Sequence, residues 1–548
     1  MIARPPRRTP TRSLLLASAL VLIAAAPASA ATIDVPQDFN TIQEAVDNAG
    51  PGDTVSINKA KVYAENVTVA TNGVTIKGKP GVIVDGGPDT AAARIFDITS
   101  NNVTVRDLLA RHGDGLYCTG EGCKFTGLRV LTGGDDCINI SGDDARVTDN
   151  KLRPCGDDHA IQMVGNDFKV SNNRVSQVDN DCIDIDGNGG EITGNNVHNC
   201  EDNDGINLDG AGNLVADNRM AAMDDSGLEI DGDDNQVLDN FVENSEYSCF
   251  DASGNGSVYR GNATEGCYDH SFEIDGDNVK VIDNSAFAGA TDDDCFDING
   301  GVKPVVKNNT ADLCDGGWEV FGENPKVIGN KGTRLGDDDG FDIDCTDAPG
   351  GADLAESCSE GVVRNNSASG NNNDDEGFDI FAPSANGAGF QVIGNSSKNN
   401  NDGGYTLNLA GAVIEDNVSR NDGSEGNEPG FEFQGDGNEI TGNTASGGAE
   451  DGFYVSSTGN TLRSNLAEGN LYDGFHVTGA DTVLINNEAL GNHGDGFDNN
   501  GGIDVTVRKN TAKRNGYVDC ASDGTIAVNE DNDCADGSDF AVPGGIDD

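Results

Sequence analysis

Apolar and polar residues alternate along this chain in short segments that recur at a nearly constant interval. In the clearest copy, apolar Phe296 and Ile298 flank polar Asp297. A second apolar run follows and ends on Asn308. We call the position of Phe296 the anchor, and successive anchors are mostly 22 or 23 residues apart. The anchors are Leu116, Ile138, Ile161, Ile183, Ile206, Leu228, Phe250, Phe272, Phe296, Trp318, Phe341, Phe378, Tyr405, Phe431, Phe453, Phe475 and Phe497. A fixed period in this range indicates a repeat architecture.

The spacing inside each repeat predicts short strands. Apolar residues at the anchor and two positions later, with a polar residue between them, have the period of a strand with one buried face. A V-x-x-N pattern, as in Val237 to Asn240, predicts a further strand in each repeat. The repeats show no convincing 3.6-residue helical period. Short strands joined by Gly, Asn and Asp turns therefore predict a parallel β-helix, in which each repeat is one coil.

Stacking of coils at roughly 4.8 Å gives the repeated residues a structural role. We expect the asparagines from Asn150 to Asn510 to form a ladder of hydrogen-bonded amides. The anchor aromatics should stack in a row inside the tube. Trp318 is the only tryptophan and occupies an anchor, so it is predicted to lie in the core.

The first 30 residues are predicted to be a signal peptide. Four arginines precede an apolar run from Leu14 to Ala25, and Ala28-Ser29-Ala30 has the pattern of a cleavage site. No later stretch approaches the roughly 18 apolar residues that a membrane span needs. We therefore expect a protein that is secreted, cell-surface or periplasmic after cleavage near Ala30, without membrane insertion.

The segment 31–110 is predicted to be an N-terminal cap with the first coils. Thr41-Ile42-Gln43-Glu44 is a capping box, and the apolar positions from Ile42 to Ala49 mark one face of a short helix that Gly50-Pro51 ends. The run VPQDFNTIQEAVDNAGPGDTVSI, with YAENVTV and GVTIKG, resembles the opening of secreted right-handed parallel β-helix proteins of the pectate-lyase-like superfamily. The resemblance implies an all-β right-handed parallel β-helix with a short N-terminal helical cap. That fold hosts lyases, hydrolases, epimerases, esterases and non-catalytic surface proteins.

The remaining chain divides into repeats and a cap. The β-helix repeats are predicted over 111–515 and a C-terminal cap over 516–548. The interval between the anchors Phe341 and Phe378 grows to 37 residues, which predicts an insertion near 345–375. Loops that leave a regular coil are where solenoids build binding clefts.

The fourteen cysteines favour export to an oxidising compartment. Most fall in near neighbours at a repeated spacing slightly shorter than one coil, which is typical of disulfides between coils. The absence of a CxxC motif argues against zinc held by cysteines. Sequence alone does not fix connectivity, but the spacing suggests Cys118 with Cys123, Cys137 with Cys155, Cys182 with Cys200, Cys249 with Cys267, Cys295 with Cys314, Cys345 with Cys358, and Cys520 with Cys534.

A formal net charge of −60 changes the picture of the surface. Acidic residues recur one and three positions after the anchor, so stacking should bring carboxylates close together and raise their pKa values unless a cation lies between them. Calcium is the natural candidate, because it favours several carboxylate oxygens. The alternative is a solvated acidic surface that serves solubility. Neither interpretation suits a nucleic-acid partner. The two sets are Asp184, Glu229, Asp251, Glu273, Asp297, Glu319, Asp342 and Asp379, then Asp186, Asp209, Asp231, Asp275 and Asp344.

Two acidic runs, 337–343 and 373–380, resemble the calcium-binding D-D-G-aromatic-D run of some β-helix pectate lyases of polysaccharide lyase family nine. Glu376 adds one residue relative to the family run. In that family a lysine from a neighbouring coil is the base, and the resemblance assigns that role to Lys398. In such a lyase site the metal would acidify the proton next to a uronate carboxylate. The lysine would then remove that proton. The resemblance implies calcium ligands at Asp374, Asp375, Asp379, Asp338, Asp339 and Asp342.

Two further patterns suggest other chemistry. GGDDCINISG, 133–142, resembles the G-D-D-C-I run of polygalacturonases, in which Asp135 and Asp136 would be the acid/base pair that glycoside hydrolysis needs. The other motifs of that family are missing. Tyr268-Asp269-His270 is either an acid/base cluster of a lyase or epimerase or an ordinary turn. The remaining histidines are scattered and suggest no metal site.

The sequence therefore predicts an exported, monomeric β-helix that binds an acidic polysaccharide, uronate-containing or a cell-surface glycan, with calcium as the possible cofactor. It leaves open whether the protein also processes that polysaccharide. One alternative is a calcium-dependent polyuronate lyase or epimerase. The other is a non-catalytic solenoid of the cell surface. A single enlarged cleft with a basic residue would favour the enzyme, whereas uniform coils would favour the binder.

Overall fold

Each turn of the chain contributes one strand to each of three sheets. The computed structural model describes residues 30–87, 94–132, 134–156, 158–288, 293–336, 338–345, 358–370, 376–382, 389–423, 428–535 and 540. Strands pair in parallel with the equivalent strands of the coils before and after, over about 21 turns. About 1% of the described residues are helical. The predicted all-β parallel β-helix is confirmed.

We number the sheets in the order in which a coil passes through them. Sheet 1, which carries the anchors, comprises Val67–Val69, Phe96–Ile98, Leu116–Cys118, Ile138–Ser141, Ile161–Val164, Ile183–Asp186, Ile206–Asp209, Leu228–Asp231, Phe250–Ser253, Phe272–Asp275, Asp294–Val302, Gly316–Glu323, Phe341–Asp344, Phe378–Ala382, Tyr405–Leu409, Phe431–Phe433, Phe453–Val455, Phe475–Val477, Phe497–Asn499 and Cys520–Ser522. Sheet 2 comprises Thr32–Val35, Thr54–Ile57, Thr75–Gly78, Thr104–Arg106, Lys124–Thr126, Arg146–Thr148, Lys169–Ser171, Glu191–Thr193, Leu214–Ala216, Gln236–Leu238, Val258–Arg260, Lys280–Ile282, Val305–Lys307, Lys326–Ile328, Val362–Arg364, Gln391–Ile393, Val413–Glu415, Glu439–Thr441, Thr461–Arg463, Val483–Ile485, Val505–Arg508 and Ile526–Glu530. Sheet 3 comprises Val62–Ala64, Ile83–Asp85, Leu109–Arg111, Arg129–Leu131, Lys151–Leu152, Arg174–Val178, Asn196–Cys200, Arg219–Met223, Phe241–Ser245, Ala263–Glu265, Ser285–Phe287, Thr310–Asp312, Lys331–Thr333, Ser367–Ser369, Ser396–Lys398, Val418–Arg420, Thr444–Ser446, Leu466–Glu468, Glu488–Leu490, Thr511–Lys513 and Asp533–Cys534.

A short helix, Ile42–Asp47, lies at the N-terminal end of the tube. Thr41 Oγ1 accepts a hydrogen bond from Glu44 N at 3.1 Å, as the capping pattern predicts. Glu65 from the first full coil also caps the helix, because its Oε2 accepts from Ile42 N at 2.9 Å. The helix ends two residues before Ala49, and Asn48 is its C-cap. No helix among the described residues is long and apolar enough to cross a membrane.

The anchors form one continuous core column. Adjacent aromatic anchors stack with nearly parallel rings, and their centroids are 4.4 to 5.4 Å apart. Trp318 lies in this row, fully buried between Phe296 and Phe341. The predicted position of the tryptophan in the core is therefore confirmed.

The asparagines that follow sheet 2 form the predicted ladder. Asn240 is representative: its Nδ2 donates to Val215 O at 2.9 Å and to Asn262 Oδ1 at 3.1 Å, while its Oδ1 accepts from Asn218 N and Nδ2. In the clearest repeat the ladder residue is Asn309; the predicted Asn308 occupies a turn with positive φ. The ladder runs through Asn150, Asn173, Asn195, Asn218, Asn240, Asn262, Asn284, Asn309, Asn330, Asn366, Asn395, Asn417, Asn443, Asn465, Asn487, Asn510 and Asn532.

Seven disulfides pair all fourteen cysteines, and the pairing is the one that the spacing suggested. In four of them, one cysteine directly precedes an anchor and the other lies at the end of the sheet 3 strand of the same coil or just after it. These four bonds join Cys137 with Cys155, Cys182 with Cys200, Cys249 with Cys267, and Cys295 with Cys314. The spacing predicted disulfides between coils, but each of these four bonds instead joins the beginning and the end of one coil.

The other three disulfides have shorter separations and lie elsewhere in the coils. Cys118, at the end of a strand of sheet 1, bonds with Cys123, directly before the next strand of sheet 2. Cys345 bonds with Cys358, inside the segment where the insertion was predicted. Cys520 on sheet 1 bonds with Cys534 on sheet 3, in the last described coil. Disulfides persist in oxidising compartments, so seven of them indicate an extracellular or secreted protein.

Candidate cation-binding face

Sheet 1 presents carboxylates in columns on its outer surface, which we call the acidic face. The anchor and the residue two positions later point into the tube, so the residues one and three positions after the anchor point outward. The strand register places equivalent outward residues directly above one another. The column one position after the anchor is acidic in seven successive coils, at Glu229, Asp251, Glu273, Asp297, Glu319, Asp342 and Asp379.

The described strands of sheet 1 contain no lysine or arginine. By contrast, the strands of sheets 2 and 3 carry basic residues that pair with acids on the same sheets. Examples are Lys169 with Glu191 on sheet 2 and Arg219 with Glu243 on sheet 3. The acidic face therefore lacks such partners along its strands, while the other two surfaces are electrostatically mixed.

Burial and mutual repulsion raise the pKa values of several carboxyls on the acidic face. Burial, with the charges of Glu273 and Glu229, raises the pKa of Asp251 to about 6. Burial, followed by repulsion from Asp379, raises the pKa of Asp342 to about 7. These shifts have the direction expected for stacked acids without a cation between them.

A third acidic column lies two positions before the anchor, in the turn that enters sheet 1. Its aspartates accept a hydrogen bond from the backbone N–H of the same position in the next coil: Asp451 Oδ1 binds Asp473 N at 2.7 Å, and Asp473 Oδ1 binds Asp495 N. Each of these aspartates therefore uses one carboxylate oxygen to hold the turn of the next coil in place. Sequence reasoning treated this column only as acidic clusters in turns, although its constant distance from the anchor was a usable signal.

The residues predicted to bind calcium lie on this face as far as the structure describes them. Asp342 and Asp379 are register partners on sheet 1. Asp339 belongs to the third column, and its Oδ1 accepts from Glu376 N at 2.8 Å. Burial and then repulsion from Glu376, Asp342 and Asp379 raise the pKa of Asp339 well above its usual range. Asp338 directly precedes Asp339 in the chain.

Of the remaining residues of the predicted lyase site, the structure describes only Lys398, which it does not bring together with these acids. Asp374 and Asp375 lie outside the described residues. Lys398 is exposed at the end of a strand of sheet 3, where its register partners are Ser369 and Arg420. The predicted base thus lies on a different sheet from Asp342 and Asp379.

Histidines on the acidic face form close groups with these carboxylates, contrary to the interpretation that the histidines are scattered. Sequence spacing could have revealed this: His159 and His270 lie two positions before an anchor, and His476 lies one position after. Five groups of three side chains, within the described residues, bring possible ligand atoms within 4.8 Å of one another. None contains Asp338, Asp339, Asp342 or Asp379. The groups are Asp136 with Asp158 and His159, Asp269 with His270 and Asp293, His270 with Glu273 and Asp297, Asp451 with Asp473 and His476, and Asp473 with Asp495 and Asp498.

His159 lies among four carboxylates. Its Nδ1 is 2.6 Å from Asp158 Oδ1 and 3.3 Å from Asp136 Oδ1, and its Nε2 is 3.3 Å from Asp181 Oδ2. Burial acts to lower the pKa of His159, but hydrogen bonds to Asp136 and Asp181 and the charges of Asp158 and Asp184 outweigh it and raise the pKa to about 10. The histidine is therefore a cation near neutral pH in the metal-free protein.

The acid pair of the polygalacturonase-like run lies beside this histidine. Tyr117 Oη donates to Asp135 Oδ2 at 3.2 Å, and Asp135 N donates to Asp114 Oδ1 at 3.2 Å. Burial, together with repulsion from Asp135 and Asp136, raises the pKa of Asp114. The structure thus joins the predicted pair to Asp114 and His159, two residues that sequence reasoning did not include.

One family description fits this architecture. The family described as right handed beta helix region matches residues 114–268, 181–331 and 415–542, together more than half of the chain. The chain belongs to this family. A search of curated proteins found no match to this chain.

Solved structures with this architecture are distant from the present right-handed β-helix. The Dettilon tailspike protein is 14% identical with a TM-score of 0.33, over 55% of this chain and 67% of that one. DFA-IIIase from Arthrobacter chlorophenolicus A6 is 15% identical with a TM-score of 0.33, over 60% of this chain and 87% of that one. Tailspike protein 3 of bacteriophage CBA120 is 9% identical with a TM-score of 0.25, over 92% of this chain and 60% of that one. None of these likenesses bears on function at such scores.

Proposed function

We propose that this right-handed β-helix binds divalent cations, calcium foremost, along its acidic face and uses them to hold an acidic polysaccharide. The run of seven successive coils with an outward carboxylate, on a sheet whose described strands lack lysine and arginine, carries the proposal. A bare surface of this kind repels a polyanion. With bound cations it becomes a surface on which sugar carboxylates replace water.

The geometry suits bridging by calcium. Calcium takes six to eight oxygen ligands at variable angles. Neighbouring coils offer carboxylates about 4.8 Å apart, so an ion between two coils leaves coordination positions for carboxylate or hydroxyl oxygens of a sugar. The seven-coil run extends over roughly 30 Å, which suits a polymer better than a small molecule.

Calcium titration calorimetry and polymer binding together test the proposal. Chelator-treated protein should bind calcium, and it should retain polygalacturonate in a pull-down only when calcium is present. Glu319→Gln combined with Asp342→Asn should weaken both. The matched control, Glu191→Gln on sheet 2, should change neither. Equal retention with chelator, or equal retention of a neutral glucan, would contradict the proposal.

The calcium-dependent lyase or epimerase is the alternative within the same proposal. The register pairing of Asp342 with Asp379 and their repulsion of Asp339 support a cation there, and the roles of Asp374 and Asp375 as ligands and of Lys398 as base remain predictions. A lyase converts polygalacturonate to an unsaturated product that absorbs in the ultraviolet. That absorbance should appear with calcium and disappear in Lys398→Ala, while calcium binding persists. Unchanged turnover in Lys398→Ala would exclude this lysine as the base.

A second candidate function is hydrolysis of a glycosidic bond beside His159. The raised pKa of Asp114, next to Asp135 and Asp136, favours it, because glycosidases pair a protonated carboxylic acid with an ionised one. We expect Asp114→Asn to abolish release of reducing ends while leaving polymer binding intact. Absence of reducing ends from polygalacturonate and from neutral glycans, with the intact protein, would remove this candidate.

A further inference from the structure

We propose that His270, Glu273 and Asp297 bind one divalent transition-metal ion, of the class that includes zinc. One possible ligand atom from each residue lies within 4.8 Å of the other two. The site uses Glu273 and Asp297 of the carboxylate column proposed above for calcium, but His270 distinguishes it from the oxygen-only positions, and it does not depend on calcium binding. It lies near the middle of the acidic face, where the turn before Phe272 meets two successive outward carboxylates.

The fold holds the three residues in a fixed relation. Glu273 and Asp297 are register partners in adjacent strands of sheet 1. His270 O accepts from Cys249 N at 2.9 Å, which ties the turn to the preceding coil. Disulfides brace both segments: Cys249 bonds with Cys267, three residues before His270, and Cys295, within the second strand, bonds with Cys314. The ligands are therefore presented from a braced framework.

A buried carboxylate oxygen without a partner points independently to a missing cation. Asp297 is only 7% exposed. Its Oδ2 accepts from Asn299 Nδ2 at 3.1 Å, but its buried Oδ1 has no hydrogen-bond partner among the described residues. An unsatisfied buried oxygen of a charged group is costly, so native proteins pair such atoms or bind a metal with them.

The histidine of the proposed site also has a buried polar atom without a good hydrogen bond. His270 Nδ1 is buried and makes no well-aligned hydrogen bond, although Asp269 Oδ1 lies at 3.3 Å and Glu273 Oε2 at 3.7 Å. Glu273 Oε2 is held from the other side by Ser248 Oγ at 3.0 Å. A hydroxyl that orients a ligating carboxylate is the kind of supporting contact that metal sites use.

The donor set indicates the class of metal. Calcium is bound by oxygen ligands, whereas an imidazole nitrogen with two carboxylates suits zinc and its neighbours. Three protein ligands leave a coordination position for water or a sugar oxygen. Burial and repulsion from Asp338 and Glu319 raise the pKa of nearby Asp294 well above its usual range, which is the direction expected for crowded acids without a cation between them.

Zinc titration in the presence of saturating calcium separates this site from the oxygen-only positions. Calorimetry on chelator-treated full-length protein should show tight zinc binding that loses one equivalent in His270→Gln and in Asp297→Asn. We expect the affinity at that equivalent to fall at least about 100-fold, beyond the usual range for outer-shell changes. His198→Gln on sheet 3 is the matched histidine control, and Asp269→Asn distinguishes the overlapping group that shares His270; both should keep the equivalent.

Cobalt(II) gives a second readout that does not depend on heat. Its visible absorption bands should appear in the intact protein and in His198→Gln, and His270→Gln should lose the part of the bands that belongs to one bound ion. Circular dichroism checks that each variant retains the β-helix. Unchanged zinc stoichiometry and affinity in folded His270→Gln would overturn the proposal. Displacement of all bound zinc by calcium would also overturn it, because it would mean sites made of oxygen alone.

Discussion

Replacing Asp342 with asparagine should stabilise the metal-free protein at pH 8 and weaken its binding of calcium. Burial, with repulsion from Asp379, raises the pKa of Asp342 to about 7. Since the folded pKa exceeds the unfolded one, the stability linked to this group is fully present below about pH 4 and is lost as the pH rises through 7. Asparagine has nearly the same shape as aspartate but no charge, so the variant does not lose stability through ionisation at this position.

The magnitude follows from the shift. A rise of about three units corresponds to roughly 4 kcal/mol at pH 8, at about 1.36 kcal/mol per unit, as an upper limit. Solvent screening at this half-buried position should reduce the measured gain to about 1–2 kcal/mol. The titrations of neighbouring acids are coupled, so the gain in unfolding free energy reflects the whole column of carboxyls one position after the anchor, and not Asp342 alone.

Guanidinium unfolding at pH 5 and pH 8, with chelator or with calcium, measures this effect. In chelator, the intact protein should lose stability between the two pH values, and Asp342→Asn should lose less. Calcium should restore the intact protein at pH 8 more than the variant. Asp144→Asn, in an exposed turn, is the control and should follow the intact protein. The reasoning is refuted if Asp342→Asn is no more stable than the intact protein at pH 8 in chelator.

Other predictions concern the repeated core. Asn240→Ala should cost at least about 3 kcal/mol in urea unfolding, because it leaves several buried amide and carbonyl groups unpaired, whereas the exposed Asn500→Ala should cost less than about 0.5 kcal/mol. Cys182→Ser combined with Cys200→Ser should cost about 3 kcal/mol by the same assay, since the bond closes a loop of 18 residues. The fluorescence of buried Trp318 should resist iodide quenching until the chain unfolds. Trp318→Ala should lower the free energy of unfolding by about 3–5 kcal/mol. Trp318→Phe should lower it less, because phenylalanine continues the aromatic stack and removes a buried Nε1 that has no hydrogen-bond partner among the described residues.

Features that recur in every coil were predictable from the sequence. The anchor row, the asparagine ladder and the four disulfides that close a coil each repeat one local arrangement, so an error in one copy is corrected by the others. A shift of one residue, as at Asn308 and Asn309, illustrates the limit. A residue with positive φ directly precedes the ladder asparagine here as in other coils, Asn308 before Asn309, and the hydrogen bonds to Asn284 and Asn330 show which amide points inward.

Features that occur once were not predictable in the same way. Lys398 follows Asp379 by 19 residues, a separation that does not reveal that one lies on sheet 3 and the other on sheet 1. The histidine groups depend on which atoms meet between coils. His270 and Asp297 are 27 residues apart, more than one repeat, so they become neighbours only after the register of both strands is known.

The possible metal groups arise where two columns of the acidic face meet. Each column by itself has a structural explanation, since the third column caps turns and the outward column is a by-product of the strand period. Together they place carboxylates around common points, and a histidine substituted into either column changes the metal preference from calcium toward zinc. His270 does so from the turn and His476 from the strand. Under the two proposals above, the repeat supplies a uniform cation-binding surface, and single departures from the repeat mark the positions at which that surface selects one class of metal.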